Sequence, residues 1–372
     1  MKVLVAGDYR PSGEAEECFE TGDFNSMLGE VKNVTSKADY GIVNLEAPVV
    51  LHEAVPISKC GPALKSKACD LDALKWAGFN CVTLANNHFR DYGDIGVKDT
   101  INSCLNIGID TVGGGRNLEE ASQILYKTIS GQRLAIINCC EHEFSIATDR
   151  ASGSNPLNPI RQYYDIQEAR QKADRVLVIV HGGIEHFQLP TPRMIETYRF
   201  FIDAGADAVV NHHQHCYSGY EVYKDCPIFY GLGNLFFFSS KDRSGKWTEG
   251  FIIIIDFSDT IPSFQLYPYI QNAEEWGVFF KNSDYYDKDL CFLNENIENQ
   301  EALEREIEKY YNHNTNMISN VFEPIQNKYY LYAKNKGWLP SLISKRKLLH
   351  AKGVVNCESH LDKLKWWLGI KG

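Results

Sequence analysis

The sequence predicts an α/β fold with mixed sheets, and three observations predict it. Short β-branched runs alternate with amphipathic stretches, glycines close those stretches just ahead of the next run, and two pairs of runs pattern as hairpins. The runs are Val3–Ala6, Tyr40–Leu45, Cys81–Leu84, Leu134–Cys139, Val176–Val180, Ala208–Asn211 and Ile228–Tyr230. Runs this short and this apolar are central strands, buried on both faces. Leu71–Ala77 stops at Gly78, Val97–Ile107 at Gly108 and Thr197–Ala204 at Gly205, as helices with glycine C-caps do. Tyr126–Ser130 and Arg133–Cys139 flank Gly131-Gln132, and Gly250–Phe257 precedes Phe264–Tyr269, which makes both pairs antiparallel. Near residue 285 the character changes. Glu295–Tyr311 is charged and helix-prone, and Lys334–Gly372 carries nine Lys or Arg against Glu358 and Asp362. The expected organisation is a main domain over 1–285 and a helical extension with a basic tail over 286–372.

The chain has 372 residues, 44% of them hydrophobic and 23% charged, enough to bury a large core. A net charge of -10 argues against a general nucleic-acid binder, which needs a basic face for phosphates. The 11 cysteines are odd in number, irregularly spaced and without a CxxC pair, which predicts reduced thiols packed in the core. The N-terminus starts on a strand with no signal-peptide pattern, and no apolar run approaches the roughly 20 residues of a membrane span. The default expectation is cytoplasmic.

The residues with chemistry fall at the ends of the predicted strands. Asp8 follows the first run, Glu46 the second as Asn44-Leu45-Glu46, and Asn86-Asn87-His88 the third. His181-Gly182-Gly183-Ile184-Glu185 follows Val176–Val180, Asn211-His212-His213-Gln214-His215 follows Ala208–Val210, and Gly231-Leu232-Gly233-Asn234 follows Ile228–Tyr230. Ligands of open α/β sheets bind beyond strand C-termini, so the pattern places this set at one edge of one sheet. Imidazole, carboxylate and amide oxygen together suit Zn, Mn or Fe. Unliganded histidines rarely bunch as His212, His213 and His215 do. His213 and His215, two apart, converge only if the backbone turns between them. His186 is left without a role, and His52, His142, His313, His350 and His360 have no such context.

These residues make the chain resemble the CapA family of capsule or poly-γ-glutamate biosynthesis proteins, within the calcineurin-like metallophosphoesterase superfamily. The resemblance rests on Gly7-Asp8, Asn44-Leu45-Glu46-Ala47-Pro48, Leu84-Ala85-Asn86-Asn87-His88 with Asp91-Tyr92-Gly93, and Gly113-Gly114-Gly115. It continues through His181-Gly182-Gly183-Ile184-Glu185, Asp203-Ala204-Gly205-Ala206-Asp207, His212-His213-Gln214-His215 and Tyr230-Gly231-Leu232-Gly233-Asn234, covering roughly residues 1–260. It implies a four-layer αββα sandwich with a two-metal site. By position, Asp8, Glu46 and His215 would hold one divalent transition metal (Mn, Zn or Fe). Glu46, Asn87, His181 and His213 would hold a second. His88 would be the catalytic acid. Asn44, Glu185, His212 and Asn234 would support the ligands or touch substrate. Three departures stand out. The superfamily's Asp-x-His opening is Asp8-Tyr9-Arg10, its bridging Asp is Glu46, and its His-Trp-Gly and His-Pro-His are His181-Gly182-Gly183 and His213-Gln214-His215. The first departure makes a one-metal site an alternative.

The resemblance implies a metal-dependent hydrolase, in which metal-activated hydroxide attacks a phosphoester or an amide or ester bond during capsule or exopolymer biosynthesis. The alternative is a non-catalytic assembly component that grips an acidic polymer through a degenerate metal site. The implied partners are an anionic polymer or phosphorylated precursor and the capsule-synthesis machinery. Nucleic acid is not among them. Lys345-Arg346-Lys347 and Trp366-Trp367 give the basic tail a possible membrane-surface contact. Family members are often membrane-anchored and extracytoplasmic.

Overall fold

The β-branched runs become strands, and a computed structural model, which describes residues 1–237, 244–314 and 316–368, shows how they pair. One sheet runs in the order β16 (Val278–Phe280), β15 (Ser263–Gln271), β14 (Glu249–Asp256), β1 (Lys2–Arg10), β2 (Tyr40–Leu45), β3 (Cys81–Thr83), β4 (Asp110–Val112). A further strand, β13 (Asn234–Phe237), pairs in parallel with the end of β1. The second sheet runs β11 (Tyr220–Tyr223), β12 (Cys226–Phe229), β10 (Ala208–His212), β9 (Arg175–His181), β7 (Gln132–Cys140), β6 (Leu125–Ile129). A short ribbon joins β5 (Gly114–Gly115) to β8 (Gly153–Ser154). Both sheets are mixed. β1 through β4 are parallel and β14 to β16 antiparallel, while β7, β9, β10 and β12 are parallel with β6 and β11 as antiparallel edges. Both expected hairpins form, as β6–β7 and β14–β15.

Alternation along the strands makes the layers. Leu4, Ala6, Val43, Val82, Ile252 and Ile254 share a core with Phe19, Leu28, Val31, Leu71, Leu74 and Val97. These come from α1 (Glu14–Glu20), α2 (Asn25–Thr35), α3 (Ala68–Trp76) and α4 (Gly93–Ile107). The alternate residues Val3, Val5, Ile42 and Ile253 are just as buried and point to the opposite face, where β1 meets β10 and β4 meets β7. A helix of one turn, α5 (Leu118–Ala121), sits on the β5–β8 ribbon. On the far side, α6 (Pro159–Lys172) covers β7 and β9, and α7 (Pro192–Asp203) covers β10 and β12. The order is helices, sheet, sheet, helices, a mixed α/β sandwich of four layers.

One sequence expectation about the site needs correction. The site residues do not line one edge of one sheet: Asp8 lies in β1 and Glu46, Asn87 and His88 follow other strands of the first sheet, and His181, His212, His213 and His215 belong to the second. Glu295–Tyr311 is helical, as its composition predicts, in two pieces. It is the end of α8 (Asp287–Glu298) and most of α9 (Gln300–Asn314), broken at Asn299, whose backbone is extended and whose side chain accepts the Ala302 N–H at 3.1 Å.

The chain divides into two compact units, residues 1–303 and 304–372. The second contains the end of α9 and α10 (Asn316–Phe322), α11 (Lys328–Asn335), α12 (Lys345–Asn356) and α13 (Glu358–Trp367). Trp367 is exposed; the side chain of Trp366 and residues 369–372 lie outside the described residues. Among the described residues no helix is long and apolar enough to cross a membrane. All 11 cysteines are free thiols, but only Cys81, Cys104, Cys139, Cys140 and Cys216 are buried, and Cys60 and Cys291 are exposed, so the expectation that they pack in the core holds for part of the set.

Candidate metal centre

Register brings the two halves of the centre together. On the first sheet Asp8, Asn44 and Thr83 are neighbours across β1, β2 and β3. Thr83 Oγ1 donates to Asn44 Oδ1 at 3.1 Å, and Asn44 Nδ2 donates to Asp8 Oδ1 at 2.8 Å. Glu46 and Asn86-Asn87-His88 continue past β2 and β3. On the second sheet Cys140, His181 and His212 are aligned across β7, β9 and β10. The turn that the histidine spacing demands is there. His213 has φ 96° and His215 φ 54°, in the left-handed region that such residues enter at a cost of about 1–3 kcal/mol. The His213 N–H donates to Asp8 Oδ2 at 3.2 Å, which ties that turn to the opposite sheet.

Two groups of buried ligand atoms result, and they share Glu46. Glu46, His181 and His213 form one and Asp8, Glu46 and His215 the other, each with its ligand atoms within 4.8 Å of one another. Around His181 Nε2 lie His213 Nδ1 at 3.0 Å, Asn87 Oδ1 at 3.1 Å and Glu46 Oε1 at 3.7 Å. On the other side, His215 Nε2 is 3.4 Å from Glu46 Oε1 and its Nδ1 is 3.6 Å from Asp8 Oδ2. Asn234, the register partner of Asp8 on β13, orients His215. Its Nδ2 donates to the His215 and Trp247 carbonyls, both at 3.1 Å, so its Oδ1 faces His215 Nδ1 at 2.9 Å. That keeps a proton on Nδ1 and leaves the Nε2 lone pair toward Glu46.

Burial sets the charge state. It pushes Asp8 up to about 7 against the hydrogen bonds from Asn44 and His213. It lifts Glu46 well above the carboxylate range, helped by repulsion from Asp8, Glu185 and Glu143. It drives His181 and His215 well below their ordinary value, with repulsion from His213 adding to it, and brings His212 to about 3. His213 is lowered as well, chiefly by burial. Neutral imidazoles keep the lone pairs that a cation needs, and acids held protonated release protons when a cation binds. Both Glu46 oxygens are buried and meet no hydrogen-bond donor among the described residues, whereas buried carboxylates are normally paired. One shared Glu, one Asp, three His and an Asn amide are a donor set for first-row divalent ions, and the residues fit such ions.

Every residue singled out in the sequence lies at or beside these groups. His212 Nδ1 is 3.7 Å from Asp8 Oδ1, and Glu185 is close enough to raise Glu46 and His213. His88 sits at the rim with Nδ1 2.7 Å from Asp91 Oδ2. Other neighbours carried no signal of their own. Lys59, from an irregular loop, pairs with the buried Asp91 and places Nζ 3.1 Å from His88 Nδ1. Glu143 Oε1 is 3.9 Å from His213 Nε2. Trp247 packs at a tilt against His215 at 4.9 Å and against His186 at 5.3 Å.

A model of the bacterial capsule synthesis protein PGA_cap family matches residues 2–239. The chain is 33% identical to the capsule biosynthesis protein CapA of Bacillus anthracis, over 64% of this chain and 60% of that one. It is 31% identical to the PGA biosynthesis protein CapA of Bacillus subtilis strain 168, over 64% and 63%. The matches therefore span less than two thirds of these relatives' own lengths. Among solved structures, a 5'-nucleotidase precursor from Thermus thermophilus aligns over 78% of this chain and 57% of its own, at 10% identity and a TM-score of 0.44.

Proposed function

The chain belongs to the PGA_cap family of bacterial capsule synthesis proteins, and from that premise we propose that it is a metal-dependent hydrolase of capsule or poly-γ-glutamate biosynthesis. The observation that carries this reading is the Glu46 carboxylate, buried without a donor at the meeting point of two ligand groups. Asp8, Glu46 and His215 would hold one divalent ion, and Glu46, His181 and His213, with Asn87, a second. Such ions supply Lewis acidity toward a phosphoryl or acyl oxygen.

The chain's own residues do the rest. Asn44 and the His213 N–H hold Asp8 in place, and Asn234 fixes the His215 ring. Asp91 holds His88 by Nδ1, which leaves Nε2 to hand a proton to the leaving group. The substrate is a phosphoester, or an amide or ester bond, of an anionic polymer or its precursor. We assign this chemistry to residues 1–285. The helical extension 286–372, with its basic tail, would contact anionic polymer or lipid.

A second reading is a polymer-gripping assembly component, favoured by Arg10 in place of a ligating histidine. One comparison separates the two. Metal content is measured by elemental analysis, and hydrolysis of phosphodiesters, phosphomonoesters and poly-γ-glutamate is followed for the native chain and His88→Ala. The hydrolase reading expects one or two ions per chain and a loss of about 10²-fold or more in kcat for His88→Ala on at least one substrate. Background rates for both proteins on every substrate leave the assembly reading standing.

A further inference from the structure

Arg10 lies two residues beyond Asp8, at the end of β1. Arg90, Arg116, Arg170, Arg175, Arg193 and Arg199 each pair with a carboxylate. Arg10 makes no direct ion pair among the described residues; it is partly buried, and Glu16, Asp70 and Glu46 lie near enough to favour its charge without touching it. Its Nη1 donates to Ser12 Oγ at 2.9 Å, and its Nε is sealed from solvent without an acceptor. The group stands over the Phe237 ring, 6.0 Å from the centroid, and that ring in turn packs edge-on against His215 at 4.9 Å. Trp247 closes the same aromatic cluster at 5.4 Å from Phe237, and its Nε1 is also buried without an acceptor. Two side-chain donors beside the metal centre are thus left without acceptors. A partly desolvated charge is costly unless something pairs with it, and a guanidinium is built for two-point contact with a carboxylate or a phosphate.

We propose that Arg10 is a substrate-binding residue that takes an oxyanion, phosphoryl or carboxylate, of the molecule hydrolysed at the neighbouring metal centre. This rests on the hydrolase reading for the identity of the site, but Arg10's own role is anion binding and is tested as such. The position at which the superfamily pattern has a metal-binding histidine then serves recognition.

The test is calorimetric binding of two probes, inorganic phosphate and glutarate, to the full chain with and without added Mn²⁺. It compares the native protein, Arg10→Gln and Arg10→Lys, with metal content and thermal midpoint recorded for each. The expected result is that the native chain binds at least one probe. Arg10→Gln then weakens it by about tenfold or more at unchanged metal content, and Arg10→Lys recovers part of the loss because it keeps charge but not the fork. Binding of phosphate alone identifies a phosphoryl group, and of glutarate alone a carboxylate. If Arg10→Gln does not fold, Arg10→Lys decides by the same comparison. The proposal is overturned if the native chain binds neither probe, if the variant binds as the native chain does, or if the variant loses metal, since Arg10 would then serve the centre itself. A native chain that takes up no metal yet binds anion through Arg10 sinks the hydrolase reading and leaves the anion site in place.

Discussion

At the scale of single residues, a buried carboxyl gives the protein a pH dependence outside the candidate metal centre. Asp70, in the first turn of α3, is fully buried; its Oδ2 accepts the Lys67 N–H at 2.7 Å, and its carbonyl accepts from Tyr9 Oη at 3.0 Å. Burial raises its pKa to about 7, more than the Lys67 hydrogen bond lowers it. Between the unfolded value near 4 and about 7, the folded state holds a proton that the unfolded chain has released. Stability from this group is therefore complete below pH 4, falls as pH rises through that window, and is flat above it. In Asp70→Asn the slope contributed by Asp70 should vanish, so the variant should gain on the native chain between pH 4 and 8 by on the order of a few kcal/mol. Urea midpoints of both proteins across that range check it, and parallel curves would refute it. The histidine bunch and the carboxylates were legible in the sequence because such residues rarely gather by chance at strand ends. Asp70 and Lys59 were not. A charged residue in a helix's first turn or an irregular loop looks the same whether folding buries it or not.

At the scale of elements, one contact pins the two sheets beside the site. Asn138 of β7 accepts the Ala85 N–H at 2.8 Å through Oδ1 and donates to the Ile179 carbonyl at 3.1 Å. Gly113, just past β4, makes room for it. Its φ is 85°, and an added Cβ would overlap Asn138 Oδ1. Gly113→Ala should destabilise the protein by about 2–4 kcal/mol, through backbone strain and loss of the buried hydrogen bond. It should also lower metal occupancy, since Asn87 follows Ala85 by two residues. Urea unfolding with elemental analysis reads both, and a change under about 0.5 kcal/mol would rule out the contact as a fastener. The strands themselves were visible in sequence by their apolar runs, and so were the two hairpins. Which strands share a sheet was not visible, because pairing between distant segments leaves no local pattern. The break at Asn299 was hidden for the opposite reason: the charged pattern runs through it unchanged.

At the scale of the whole molecule, all the ligand residues lie within the unit of residues 1–303. A chain ending at Leu303 should keep the metal content of the full protein and unfold in one cooperative step. Loss of metal on this truncation would mean that the remaining residues are needed to complete the centre. The four layers follow from alternation that can be read along each strand, with Leu4 and Ala6 facing the helices and Val3 and Val5 facing the second sheet. The charge shift toward the C-terminus was also readable. Where one compact unit ends was not, since that depends on packing and α9 runs through the division.

The pairing of β1 also bears on the order in which the protein assembles. Its first half lies antiparallel to β14 and its second half parallel to β13, so the strand waits for segments made much later. Asp8 and the His213 N–H that holds it are 205 residues apart in the chain. Contacts of such separation form slowly, because a long loop must close before they repay its entropy. The candidate metal centre is thus expected to form late in folding. A nascent chain has Asp8 and Glu46 well before the candidate ligands His181, His213 and His215, so the two halves of the site are made at separate times.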